Sequence, residues 1–339
     1  MYEAARDMMR ADVAYGHDVV FVDVGVTIGA TREPPLPSGV DDRGGFSVGI
    51  SQYQAALDAD VLVCHTGVLD NWLVQSQAPI IWILHGRPLA SFRPEQQGIR
   101  KSYSALVALA KWPRVRRLVG FWPEYEHFWK AVMPPEKVVM LDAPPIDFHR
   151  FAPDGPKHTF KPREFGESNI LIADSWRADI DLFEAANGAI LAARNMPGLK
   201  VHFCAVEQPS GPWEILFSAL RDRSALGHVS GRIADLDAMF RAVDVVLTPH
   251  RIATRIVGEA LSCGTTLVAD EGCQWTPYTA IMGDPTDVAA AVEEAVSSVR
   301  ADPIGSKAAS VKMARAFDLS RYAKDMTEIY EAIIRESKG

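Results

Sequence analysis

Residues 252–270 read IATRIVGEALSCGTTLVAD, and their pattern decides the fold class. Ile252, Ile256, Val257, Ala260 and Leu261 recur at helical spacing, with Arg255, Glu259 and Ser262 on the other side. Gly264 stands where a helix ends on a residue free to take positive φ. The β-branched run TTLVAD follows at once as a buried strand. Helix, tight turn and strand in immediate succession are the repeating unit of a doubly wound α/β domain. Glu259 allows two readings. It can pair with Arg255 at i,i+4 on a solvated face, which stabilises a helix by only about 0.2–0.5 kcal/mol. Alternatively, it is a carboxylate presented to a ligand, which the flanking turn and strand favour.

The alternation extends in both directions. Upstream, residues 170–173, 200–205, 228–229 and 243–247 read as strands, and 180–194, 213–221 and 236–242 as helices. Downstream, 286–300 and 319–335 read as helices. The first half repeats the scheme, opening on a helix over 2–15 that Gly16 stops. Strands are predicted over 17–24, 60–64, 79–84, 117–121 and 138–141, and helices over 51–59, 69–77 and 98–111. Residues 25–49, rich in Gly, Pro, Asp and Arg, show no apolar period and read as a disordered loop. The prolines and glycines of 153–166 read as a linker. Phe121, Trp122, Tyr125, Phe128 and Trp129 are spaced for helix packing and read as core.

A chain of 339 residues is long for one core, so two domains are expected. A hydrophobic content of 48% with 23% charged residues suits a soluble globular protein. A net charge of −8 argues against a generally nucleic-acid-binding surface but permits a local basic patch. Cys64, Cys204, Cys263 and Cys273 lack metal-ligand spacing and read as reduced buried thiols of a cytoplasmic protein, so no metal site is expected. No stretch reaches the ~18 apolar residues of a membrane span. The N-terminus carries no signal-peptide pattern.

The segment 252–270 resembles the C-terminal domain of GT-B glycosyltransferases, above all the retaining family 4, through Glu259, Ala260, Leu261, Cys263, Gly264 and Thr265. Residues 133–153, MPPEKVVMLDAPPIDFHRFAP, resemble the family's passage between domains, with Asp147 and Phe151 in its aspartate–x–x–x–phenylalanine element. SRYAKDMTEIYEAII resembles its closing helix. The resemblance implies an α/β GT-B fold, two Rossmann-like domains facing a cleft. It divides the chain into an acceptor domain (1–155), a nucleotide-sugar-binding domain (156–318) and a closing helix (319–339) that packs on the first. Family members begin with a strand ahead of the first helix, so that strand is expected to be missing here, leaving an unpaired sheet edge. A looser similarity links the chain to phage-encoded glycosyltransferase-like proteins.

Site residues follow from the resemblance position by position. Glu259 would bind the ribose hydroxyls of a nucleotide-sugar donor. The family's arginine and lysine for the diphosphate lie just after the first strand of the C-terminal domain, where this chain reads ILIADSWR. Arg177 inherits the arginine role with Ser175 beside it, and the lysine has no counterpart. Eight positions before Glu259, the family's second glutamate is replaced by Arg251, preceded by His250. Arg251, Thr254, Arg255 and Glu259 would form a polar cluster at a helix start, where anions bind favourably. This points to an altered donor mode, with Arg251 and Arg177 facing the diphosphate. Gly231 and Arg232 occupy the nucleobase position, and Gly264 completes the donor set. In the first domain His85 follows the strand IIWIL, where the family places a histidine near the transferred sugar. His65 ends the neighbouring strand in the same way.

Between Arg87 and Arg117 stand eight cations (Arg87, Arg93, Arg100, Lys101, Lys111, Arg114, Arg116 and Arg117) and one acid, Glu95. His65, Arg87 and Arg93 are therefore candidates for the acceptor side, and an anionic acceptor is one reading of the run. A phosphorylated sugar, an anionic membrane surface or DNA would serve, while a solvated helix face is the plainer explanation. The implied activity is hexosyl transfer from a nucleotide-diphosphate sugar, with retention, without metal and without cofactor, the nucleotide-sugar being a substrate. Alternatives are a transferase acting on hydroxymethylated bases in DNA and a nucleotide-sugar-binding protein without turnover.

Overall fold

The computed structural model describes residues 2–21, 38–42, 57–65, 76–84, 107–108, 110–174, 182–206, 211–231 and 233–338. The chain forms two compact units, Met1–Pro145 with Asp318–Gly339, and Ile146–Phe317.

The first unit contains α1 (Tyr2–Ala14), β1 (Val19–Phe21), β2 (Val40–Asp42), β3 (Leu62–Cys64), β4 (Ile80–Ile83), β5 (Val115–Gly120), α2 (Glu126–Val132) and β6 (Val138–Met140). Strands β3, β4, β5 and β6 form a parallel sheet in sequential order. Every residue of β4 is buried, as a strand covered on both faces requires. On one face, Ala4, Met8 and Ala11 of α1 pack with Tyr322, Ala323, Met326 and Ile333 of the final helix, Leu319–Lys338, against Ile81, Ile83 and Val119. The other face holds Trp82, Leu118, Trp129 and Met133. Phe121 and Trp129 are thus core, as their spacing indicates. The loop expected over 25–49 contains a strand: β2 pairs in parallel with β1, Val20 opposite Asp41. Three residues with two aspartates carry no readable alternation, and Gly39, at φ +89°, turns the chain into them.

The second unit contains β7 (Ser168–Ile172), α3 (Leu182–Asn195), β8 (Leu199–Phe203), α4 (Pro212–Asp222), β9 (Leu226–Val229), α5 (Leu236–Ala242), β10 (Val245–Thr248), α6 (Arg255–Ser262), β11 (Thr266–Asp270), β12 (Tyr278–Ala280), α7 (Pro285–Ala301) and α8 (Pro303–Ala314). Its six strands are all parallel, in the order β9-β8-β7-β10-β11-β12. Numbered within the unit, that order is 3-2-1-4-5-6, the doubly wound arrangement of mononucleotide-binding halves. The sequence reading omits β12 and α8. The start of α8 is nonetheless legible: Pro303 stands at its first position, and Asp302 accepts a hydrogen bond from the Gly305 amide at 2.8 Å.

The proline-rich stretch before β7 is fastened to this unit rather than hanging free. The buried Arg241 side chain donates to the carbonyls of Pro156 (2.8 Å), Ala152 (3.1 Å) and Arg150 (3.4 Å) and is paired with Asp237. Asp147 accepts from the His149 amide at 3.0 Å, and Phe151 is buried near Phe240, so the aspartate–phenylalanine element builds a turn and an anchor.

Candidate functional site

In an open parallel sheet, ligands bind beyond the carboxyl ends of the strands, where the strand order reverses. In the second unit that point lies between β7 and β10. Register pairs Leu247 with Ile172, so Thr248, which ends β10, comes level with Ala173, just before Asp174. Thr248 Oγ1 donates to Asp174 Oδ2 at 3.2 Å, and His250 Nε2 lies 3.2 Å from Asp174 Oδ1. All three residues are buried. A carboxylate only accepts, so it fixes His250 with its proton on Nε2 and leaves Nδ1 pointing elsewhere.

Next along the chain, Arg251 is mostly exposed and its Nε donates to Asp270 Oδ1, at the end of β11, at 2.9 Å. Thr254 is the N-cap of α6 but makes no capping bond through its side chain. Its Oγ1 is buried without a hydrogen-bond partner among the described residues. A helix start carries orphan amides and the positive end of the helix dipole. One turn further on, Glu259 Oε1 accepts from Arg255 Nη2 at 2.7 Å.

The Arg255–Glu259 pair forms, but the face it stands on is not solvated. Glu259 is 6% exposed and Ser262 3%. Glu259 is therefore a desolvated carboxylate held beside a cation, for which the small value of a surface pair does not apply. Gly258 explains how this helix comes so close to its neighbours: a Cβ there would lie 2.4 Å from the Phe317 ring. Gly264, expected among donor-binding positions, lies past the opposite end of α6, about 12 Å along the axis from the helix start. There, at φ +80°, it turns the chain into β11. It shapes the site's scaffold and does not line the site.

Of the other expected site residues, His85, Arg87, Arg93, Ser175, Arg177 and Arg232 lie outside the described residues. His65 follows β3 at its carboxyl end as placed, partly buried, and burial pushes its imidazole down to about 4. It is neutral near pH 7, so it can hydrogen-bond to an acceptor but brings no charge to it. Among the described members of the basic run, Arg114 donates from Nη2 and Nε to the Ala78 carbonyl at 2.9 and 3.2 Å. Arg117 is paired with Glu336. These residues precede or open β5, at the amino ends of the strands, away from where sheets of this kind bind ligands. Arg114 and Arg117 thus bond within the protein, while Lys111 is exposed to solvent. The site residues that the sequence reading missed are Thr248 and the Asp174–His250 pair, which stand 76 positions apart in the chain.

No family model and no curated protein matches the sequence. Solved structures do match. A glycosyltransferase from Rickettsia africae is 11% identical over 97% of this chain and 94% of its own, with a TM-score of 0.66. WaaG, a glycosyltransferase involved in lipopolysaccharide biosynthesis, is 16% identical over 96% and 95%, with a TM-score of 0.64. An E. coli trehalose-6-phosphate structure bound with UDP-2-fluoro glucose is 12% identical over 83% and 75%, with a TM-score of 0.58. The fold of this chain is therefore the GT-B fold of glycosyltransferases.

Proposed function

We propose that this protein is a glycosyltransferase that takes a hexose from a nucleotide-diphosphate sugar, binding the donor at the carboxyl ends of β7, β10 and β11 in its second unit. The observation that carries the reading is the coincidence of two independent features. The strand order reverses between β7 and β10, where Asp174, Thr248 and His250 are joined by hydrogen bonds, and from there the chain runs through Arg251 and Thr254 into α6, where Arg255 pairs with the buried Glu259. Scaffold and chemistry meet at one place, and structures of like fold include one bound to a UDP-sugar.

In this reading Glu259 accepts hydrogen bonds from the ribose hydroxyls while Arg255 holds its other side. The diphosphate approaches the start of α6, where helix amides and Arg251 stabilise the negative charge of the leaving group without proton transfer. Arg177 joins from the residues after β7. Transfer proceeds with retention, and protein cations take the place of a bound metal, so a chelator leaves the rate unchanged. The acceptor is anionic and meets the first unit through His85, Arg87 and Arg93, with neutral His65 as a hydrogen-bonding neighbour. A phosphorylated sugar fits this better than DNA, because Arg114 and Arg117 are occupied within the protein. No described helix is long and apolar enough to cross a membrane.

A second reading, a nucleotide-sugar-binding protein without turnover, draws on the same pairs. Arg251 already lies on Asp270 and Arg255 on Glu259. A thermal-shift panel of UDP-, GDP-, ADP- and dTDP-sugars tests the donor site, since a ligand at 100 times its Kd stabilises the fold by about 2.7 kcal/mol. Release of nucleoside diphosphate from the bound donor then separates enzyme from binder. No shift with any member of the panel refutes both readings.

A further inference from the structure

We propose that the groove between α8 and the residues leading into β12 is a binding site for a compact uncharged molecule, one ring carrying a hydrogen-bond-accepting oxygen. It lies in the second unit at the amino end of β11, where Thr266 and Leu267 form part of its wall. The donor site proposed above lies at the carboxyl ends of the strands, so the groove is separate from it.

The groove follows from the sequence of α8. Ser306, Ala309, Ser310 and Met313 stand at i, i+3, i+4 and i+7, which places them on one face of the helix, and all four line the groove. Three of the four are small, so α8 packs beside β11 without filling the space between. Ile304, the bulky apolar residue of its first turn, is turned to solvent at 83% exposure. The remaining wall is built from Leu261 in the last turn of α6, Leu267, Trp275 and Pro277. About 370 Å³ is left open to solvent between them, within the range of small-molecule pockets. From Ser306 to Met313 the helix rises about 10 Å, long enough for a six-membered ring with a short substituent.

Two features of the lining set the chemistry of the occupant. The lining is mostly apolar, and no described residue in it carries a charge. An ion buried there would lose its hydration and find no partner of opposite sign. Trp275 supplies the polar contact. It is buried edge-on against Phe317, with ring centres 5.1 Å apart, and its Nε1–H has no acceptor among the described residues. A buried donor in that state is rare, because it has given up water and gained nothing in return. The neighbouring Thr276 hydroxyl is already engaged, donating to the Leu267 carbonyl at 2.6 Å and accepting from the Tyr278 amide at 3.1 Å. A ring laid against Leu261, Leu267 and Met313, with an oxygen presented to Trp275 Nε1, answers both features.

Full-length protein labelled with nitrogen-15 tryptophan and titrated with acetophenone tests this through its indole N–H resonances. The Trp275 resonance is the one missing from Trp275→Phe, which keeps a ring against Phe317. The expected result is a saturable downfield shift of that resonance, with a Kd of about a millimolar for so small a ligand. Benzoate, of the same size but charged, binds at least tenfold more weakly. Toluene, which has no oxygen, does not produce the downfield shift of a new hydrogen bond. Ala309→Leu keeps the helix propensity of α8, fills the groove and abolishes the acetophenone shift. A nuclear Overhauser effect between the acetophenone methyl and Met313 Cε places the ligand in wild-type protein even if that variant does not fold.

A Trp275 resonance that acetophenone does not move, the result expected if water alone satisfies Nε1, overturns the proposal. So does a resonance that benzoate moves equally, or a shift that persists in folded Ala309→Leu. None of these results bears on the donor site, which the nucleotide-sugar panel tests on its own.

Discussion

Asp12, on the inner face of α1, is a buried carboxyl whose protonation should set the pH dependence of the first unit. Tyr330 OH, on the final helix, donates to its Oδ2 at 3.1 Å, while Oδ1 is buried without a partner among the described residues. Burial raises its pKa from 3.8 to about 7, with the Tyr330 hydrogen bond working against that rise. Below pH 4 the carboxyl is protonated in both folded and unfolded chains and contributes no pH dependence. Between about 4 and 7 the unfolded chain loses the proton while the folded chain keeps it, so stability falls as pH rises. Above 7 both are ionised and the full penalty stands. A carboxyl held near 7 instead of near 4 costs about 4 kcal/mol at high pH, at about 1.4 kcal/mol per pH unit across the window. Asp12→Asn removes the titration while keeping an acceptor for Tyr330. The two proteins should therefore be near equal at pH 4.5, and the variant more stable by several kcal/mol at pH 8.5. Urea unfolding of both proteins in parallel, followed through the transition of the first unit, measures the difference. A difference that does not change with pH, or one in which wild-type gains on the variant as pH rises, refutes the reasoning.

The other predictions concern the second unit. Glu259→Gln should weaken nucleotide binding at least tenfold, since hydrogen bonds to a charged group contribute about 1.5–3 kcal/mol each; unchanged affinity in a titration would reduce Glu259 to a partner of Arg255. Arg241→Met should destabilise by about 3–5 kcal/mol in a denaturant titration, because it leaves carboxylate and carbonyl groups buried without their donor. Gly258→Ala should destabilise by about 1–3 kcal/mol, the new methyl meeting the Phe317 ring, whereas Gly258→Ser should do no better. Gly264→Ala should cost about 1 kcal/mol through its positive φ, with nucleotide affinity unchanged, since it stands at the far end of α6 from the ligand.

What was legible in the sequence depended on how local the signal is. The helix, turn and strand of residues 252–270 are specified by neighbours within four positions, and α6 and β11 lie within that segment. The strand β2 and the strand β12 are three residues each and gain their order from a neighbouring strand, so no periodicity announces them. The start of α8 was written in Asp302–Pro303, but α8 follows α7 after a single residue, with no loop to mark a new element. Glu259 could be singled out from its spacing, but its burial could not, because that depends on how closely Gly258 lets α6 approach Phe317. The Asp174–His250 pair left no trace at all, since only the lateral pairing of β7 with β10 brings the two together.

The position of a bound nucleotide-sugar tests the central claim most directly. In crystals grown with the tightest binder of the panel, the ribose should lie on Glu259 at hydrogen-bond distance, about 2.6–3.0 Å, with the diphosphate at the start of α6 beside His250. A nucleotide seated anywhere other than the carboxyl ends of β7, β10 and β11 would contradict it.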